Sequence, residues 1–387
     1  MLKFTELPPL ALYIHFPWCV QKCPYCDFNS HTQQNQLPET EYISALLNDL
    51  ENDLPLVWGR KVSSIFMGGG TPSLFSPEAI ETLLNGIRAR IPLSPFAEMT
   101  IEANPGTLDN QKLPGFRQAG VNRVSIGVQS FNDKHLKTLG RIHDANKAIE
   151  AIELAKQHFE QVNLDLMFAL PEQTLQEAEK DLETAIALNT DHLSYYELTI
   201  EPNTAFHQSP PTLPDDELAW EIFQQGLNKL DASGFERYEI SAYAKNGKQC
   251  RHNLNYWQFG DYLGIGAGAH AKITDAHQQN VTRYTKKRHP KDYLECPTTH
   301  SSFISSTQIL GKAQLKFDFL LNAFRLINGF TIVDYEKRTG LDAGILLTAL
   351  KNKIDSGLLD IDNGQLHVKA SDKGIHFLND ILETFLP

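Results

Sequence analysis

Six short β-rich runs separated by amphipathic segments constrain the fold of this chain more than any other feature. The runs are Ala11 to Phe16, Val62 to Met67, Glu98 to Glu102, Arg123 to Gly127, Val162 to Phe168 and His192 to Leu198. Helical periodicity falls near Glu41 to Asp53, Pro77 to Arg90, Asp109 to Ala119, Ala145 to His158, Leu175 to Leu188 and Asp215 to Ser233. Such alternation is the pattern of successive βα units around a parallel sheet. Ser76 before Pro77, and Thr107 ahead of Asp109, mark helix starts. Six units fall short of a closed eight-stranded barrel, so the expected fold is α/β, a partial (β/α)6 barrel.

At 387 residues the chain exceeds one ordinary core. The pattern changes near residue 235, giving an expected division into a barrel over 1–235 and a smaller C-terminal domain over 236–387. In the latter, Tyr238 to Tyr243 reads as a strand and Gly264 to Ala269 as a glycine-rich turn. Leu341 to Ser356 reads as a helix leading into a hairpin at Asn363-Gly364, before a final helix. Helix, hairpin and helix suggest a winged-helix-like end. A formal charge of −12 argues against general nucleic-acid binding and makes a structural or protein-contact role the expectation, although the local run Lys286-Lys287-Arg288 suits an anion.

Five cysteines, three of them crowded together, do not make a secreted disulfide framework, so a reducing compartment is expected. The N-terminus lacks the apolar core of a signal peptide, and no run reaches the length of a membrane span. The expected location is cytoplasmic, with peripheral contact at the cytoplasmic membrane left open.

The three crowded cysteines are Cys19, Cys23 and Cys26, spaced CxxxCxxC at the end of the first run. Thiolates at this spacing can hold three irons of a cubane cluster, leaving one iron open to a small molecule. A closed zinc site is the other reading, with His15 or His31 as a fourth ligand, and would make the chain a zinc-stabilised interaction module. After the later runs come further polar or glycine-rich groups: Gly68-Gly69-Gly70-Thr71-Pro72, Glu102 to Pro105, and Gln129-Ser130-Phe131, with Asp165 on its own strand. In parallel barrels the C-terminal strand ends form the active face, so these groups should converge on one rim.

Taken together and in this order, the groups resemble the radical SAM superfamily, in the branch that contains oxygen-independent coproporphyrinogen III oxidase and a family of haem chaperones. The resemblance runs from Tyr13 through the C-terminal unit. It implies that Cys19, Cys23 and Cys26 ligate a [4Fe-4S] cluster whose open iron is chelated by S-adenosylmethionine. It further implies contacts to that cofactor from the glycine loop at Gly69, Gly70 and Thr71, and from Glu102, Gln129, Arg141 and Asp165. Arg141 offers a planar fork to a carboxylate, and Asp165 can accept from ribose hydroxyls. Tyr13 and Tyr25 would pack beside cluster and adenine.

Two departures separate the chain from the oxidase pattern. The oxidase carries a further cysteine where Phe28 stands here, and a longer segment before its first strand. A second motif, His252-Asn253-Leu254-Asn255-Tyr256, matches HNxxY, which the resemblance associates with haem binding. Imidazole is a common haem ligand, and Tyr256 and Trp257 could flank the porphyrin. The plainer reading of His252 is a loop histidine with structural hydrogen bonds, and of Cys250 a buried free thiol. The expected function is therefore a haem chaperone that binds haem through His252, Asn253 and Tyr256 and hands it to acceptor proteins. By resemblance, the acceptors include respiratory haem proteins at the membrane, and the chaperone forms a homodimer. The alternative is a radical SAM oxidase acting on coproporphyrinogen III or another tetrapyrrole; catalytic residues are not assigned.

Overall fold

A computed structural model describes residues 2–245, 247–296, 303–362, 364 and 366–387. Strands β1 (Leu10–Phe16), β2 (Val62–Gly69), β3 (Leu93–Ala103), β4 (Arg123–Gln129), β5 (Gln161–Phe168) and β6 (His192–Glu197) lie side by side, parallel and in chain order. Helices Glu39–Asp53, Pro77–Arg88, Lys112–Ala119, Ala145–His158, Leu175–Ala187 and Asp216–Ala232 follow them in turn. Their start signals are local: Ser76 accepts from the Ala79 amide ahead of Pro77, and Thr174 with Glu177 forms a capping box. Asp109 accepts from the Gln111 and Lys112 amides, so its helix opens at Lys112, three residues later than its sequence suggests.

The sheet does not stop at the sixth strand. β7 (Glu236–Glu239) and β8 (Ala242–Ala244) form an antiparallel hairpin beside β6. β9 (Asp261–Ile265) returns to the other flank of β1 and pairs parallel with it. β10 (His270–Asp275), β11 (Asn280–Lys286) and β12 (Ile304–Ile309) continue antiparallel from there. The order is β12-β11-β10-β9-β1-β2-β3-β4-β5-β6-β8-β7, open at both ends.

Two expectations are corrected here. Tyr238 to Tyr243 is two strands, because the chain turns at Ile240 and Ser241: the Glu239 carboxylate accepts from the Ser241 amide, and the Ile240 amide donates to Arg325 O. Gly264 belongs to strand β9 rather than to a turn. A Cβ there would stand 1.8 Å from His270 O, so glycine is what lets β10 fold back so closely.

The principal hydrophobic core runs from Leu10 through β6 and on to Leu263, Ile265, Ile273 and Phe303, crossing residue 235. A second core, around Phe319, Phe330, Leu346, Leu350, Val368 and Ile381, belongs to the C-terminal end. That end has the expected helix, hairpin and helix arrangement. Helix Ala343–Asp355 precedes antiparallel strands Leu359–Asp362 and His367–Ala370. The last helix is broken at Phe377 into Asp372–His376 and Leu378–Glu383. Asn363 of the hairpin turn lies outside the described residues. Among the described residues no helix is long and apolar enough to cross a membrane.

Candidate cofactor site

The cysteine loop is pinned at both ends. Trp18–Cys19 pairs with His31–Thr32 in a small parallel sheet, and the Gln33 amide donates to Cys19 O. Lys22 Nζ bridges the loop by donating to Phe28 O and Ser30 O, each at 3.2 Å. The glycine loop is tied to the loop's entry, Gly70 N donating to Phe16 O and Thr71 N to Trp18 O.

Cys19, Cys23 and Cys26 are free, half-buried thiols. Burial raises the Cys19 thiol, with the Thr71 side chain opposing, and raises the Cys26 thiol, with the Phe28 backbone and Ser30 hydroxyl opposing. Burial thus disfavours the thiolate at both, and a bound metal would supply the charge that stabilises it. Among the described residues no three His, Cys, Asp or Glu side chains surround one point closely enough for a single ion. A cluster asks for less convergence, one thiolate for each of three irons, and the donor set fits it. The zinc alternative also loses His15, whose Nδ1 lies 3.0 Å from Tyr13 OH and whose Nε2 lies 2.8 Å from Asn29 O.

The space opposite the thiols is built from strand ends. Gly69 N donates to Glu102 Oε2 at 3.1 Å, and a Cβ on Gly68 would stand 2.9 Å from that same oxygen. Gly69, at φ +109°, passes so close to the His15 ring that a Cβ would meet Cε1 at 2.4 Å; at Gly70 it would meet Trp18 O at 2.5 Å. The glycines thus let three segments of backbone converge. Burial and the neighbouring Asp165 raise the Glu102 carboxyl to about 7, the Gly69 amide opposing. Burial also raises Asp165, against hydrogen bonds from Ser194, Asn163 and Ser125 and the charge of Arg123.

Gln129 closes β4 with φ +72°, a left-handed conformation rare for a side-chain-bearing residue. Its Oε1 accepts from Tyr196 OH at 2.8 Å. Arg141 reaches across to the cysteine loop, donating through Nη2 to Gly127 O and through Nη1 toward Cys23 Sγ at 3.5 Å. Its Nε is buried without a partner, an unspent donor in the site. Tyr25 lies beside Arg141 and Cys23, and Tyr13 stacks on Phe66 at 6.4 Å. All the expected cofactor-side residues are thus drawn to one end of the sheet. Tyr196, Asn163, Ser125 and Ser194 were missed. The available signal was period two: on each strand the polar residues alternate with core residues and share the inner face.

The HNxxY residues lie elsewhere, on helix Arg251–Trp257 beneath that end. Glu98 on β3 accepts from the Arg251 and His252 amides at 3.1 and 3.0 Å and caps this helix from outside. His252 is 1% exposed. Its Nδ1 lies 3.0 Å from Ser64 Oγ, its Nε2 3.3 Å from Tyr256 OH, and its ring stacks on Phe66. Burial, with Arg123 nearby, lowers its pKa to about 3. Asn253 is half-buried, and Trp257 lies under the Arg325 guanidinium. Cys250 is buried, and burial raises its thiol to about 12. The basic run is split: Lys286 is buried between Asp49 and Asp53 at 2.7 and 2.8 Å, whereas Arg288 is exposed.

A parallel sheet whose strand ends carry a three-cysteine loop, a glycine loop and inward carboxylates defines a radical SAM protein, and residues 13–185 match the Radical SAM superfamily. The chain is 49% identical over 385 residues to "Heme chaperone HemW" of Escherichia coli (strain K12), covering 99% of both chains. It is 48% identical to "Heme chaperone HemW" of Haemophilus influenzae, covering 98% of this chain and 99% of that one. The solved structure of coproporphyrinogen III oxidase (HemN) from Escherichia coli shares the fold, with a TM-score of 0.81, 23% identity, and coverage of 98% of this chain and 90% of that one. The chain belongs to the HemW family of the radical SAM superfamily. Membership of that superfamily implies a [4Fe-4S] cluster and S-adenosylmethionine.

Proposed function

We propose that the chain is a haem chaperone: it binds haem and passes it to acceptor haem proteins. In this reading Cys19, Cys23 and Cys26 hold the cluster. Gly69, Gly70, Thr71, Glu102, Gln129, Arg141 and Asp165 hold S-adenosylmethionine, with Tyr13 and Tyr25 alongside. Bound there, the pair supplies one-electron chemistry, while the chain orients the cofactor and limits water. Residues 1–235 form the cofactor barrel, and residues 236–387 supply the haem-binding helix with His252, Asn253 and Tyr256. The protein works in the cytoplasm, its acceptors include respiratory haem proteins at the membrane, and it forms a homodimer.

The observation that carries this reading is the full-length similarity to proteins named haem chaperones, which takes in the HNxxY helix as well as the barrel. Loading haem on His252 requires Nε2 to exchange Tyr256 OH for iron, and that 3.3 Å contact is the longer of its two hydrogen bonds. The test is an anaerobic haem titration of the cluster-reconstituted protein and of His252→Ala, followed by the Soret band. Saturation near one haem per chain that weakens in the variant is expected. Unchanged saturation in the variant removes His252 as ligand, and no saturable binding by the parent protein overturns the chaperone reading.

A further inference from the structure

A polar cavity of about 590 Å³ opens beside the cysteine loop, with Cys26 on its wall. This falls within the roughly 300–1,000 Å³ of small-molecule sites. It borders the cysteine loop through Cys26 but does not reach Glu102, Asp165 or His252. Phe28, at the position where the oxidase pattern has a cysteine, lines it and is 57% exposed. An aromatic side chain that open beside a cavity offers a face for stacking.

Two further lining groups carry unspent hydrogen-bonding capacity. Arg288 is exposed, and among the described residues its guanidinium has no hydrogen-bond or ion-pair partner. His31 Nε2 is buried and likewise has no partner, its ring packed against that of exposed His289 at 5.4 Å. Lys22 also lines the cavity, but its ammonium is already engaged by two carbonyls. Asp27 and Glu201 complete the charge pattern. The unengaged guanidinium of Arg288 and the open ring of Phe28 on the same wall suit a ligand that joins a flat ring to an edge carboxylate.

We propose that this cavity receives the carboxylate edge of a porphyrin, with Phe28 against the macrocycle and Arg288 and His31 on a propionate. The proposal rests on the haem-chaperone reading and adds to it an outer docking site, reached without opening the enclosed His252 helix. Entry turns His289 off the His31 ring, a rearrangement of an exposed side chain.

The test titrates the cluster-reconstituted full chain, Arg288→Glu and Phe28→Ser with iron protoporphyrin IX and with its dimethyl ester, under anaerobic conditions. Both substitutions are at exposed positions, and circular dichroism checks that each variant is folded. The expected result is about tenfold weaker haem binding in each variant, the weight of one charge-assisted or stacking contact. The ester should bind the parent about tenfold more weakly than haem and should not respond to Arg288→Glu. Haem binding unchanged in both variants overturns the cavity and leaves the chaperone reading standing. Absence of haem binding by the parent overturns both.

Discussion

His252 Nδ1 stands 3.0 Å from the hydroxyl of Ser64, a residue 188 positions earlier in the chain. The bond fastens the HNxxY helix to the inner face of β2, and Phe66, two residues on, stacks on both His252 and Tyr13. One aromatic ring thus separates the candidate haem ligand from the cofactor end of the sheet. The helix is held there by the barrel rather than by its own sequence, since its amides are capped by Glu98.

Removing one thiol should remove the cluster. Anaerobic reconstitution of the parent chain is expected to give about four irons and four sulfides per chain, and Cys26→Ser well under one. Iron and acid-labile sulfide analysis reads the result, and full loading of the variant would exclude Cys26 as a ligand.

Glu102 should make the cofactor-free protein less stable as the medium becomes alkaline. Its carboxyl is raised to about 7, first by burial and then by Asp165, above its ordinary value of 4.5. The folded state therefore binds the proton more tightly than the unfolded state. That contribution is complete below pH 4.5 and is lost as the pH rises through about 7. Glu102→Gln should be more stable than the parent at pH 8, by on the order of 1–3 kcal/mol, and indistinguishable from it near pH 4. Denaturant titrations at the two pH values measure the difference.

Lys286 should be far more sensitive than an exposed lysine. Replacing it with Met removes the cation shared by the buried carboxylates of Asp49 and Asp53, and a cost of about 3–5 kcal/mol is expected. Lys134, whose pair with Glu172 is exposed on both sides, should tolerate the same change with no measurable loss. Urea unfolding of the two variants distinguishes them.

Gly69→Ala should destabilise the site by about 2 kcal/mol or more, because left-handed backbone strain adds to a clash with the His15 ring. Gly59, at φ +77° with open space around it, should lose only about 1 kcal/mol on the same substitution. Thermal melts of both variants provide the check.

Much of the barrel was legible in the sequence because its signals are local. Val62 and Arg123 open their strands where the β-rich runs begin, and Ala145–His158 has its expected bounds. The expected cofactor-side residues share one end of the sheet for a related reason: Gly70 and Thr71 follow β2, Glu102 and Gln129 stand at the ends of β3 and β4, and parallel strands present their ends to one rim. Strand β9 was not legible. It is short, contains Gly264, and finds its partner in β1, some 250 residues earlier. The Tyr238 to Tyr243 run has the composition of one strand, and only the contacts of Glu239 and Arg325 O show where it breaks.

The sequence by itself determined the βα alternation, the cysteine and glycine loops and the helix, hairpin and helix at the C-terminus, since periodicity, caps and turns act over a few residues. Tertiary structure decided which polar groups are enclosed. It placed His252 inside the sheet and sent Lys286 to Asp49 and Asp53 while leaving Arg288 in the open. It also raised Glu102, first by burying it and then by setting Asp165 nearby. Burial and the pairing of charges depend on segments hundreds of residues apart, and a run of neighbouring residue types carries no record of them.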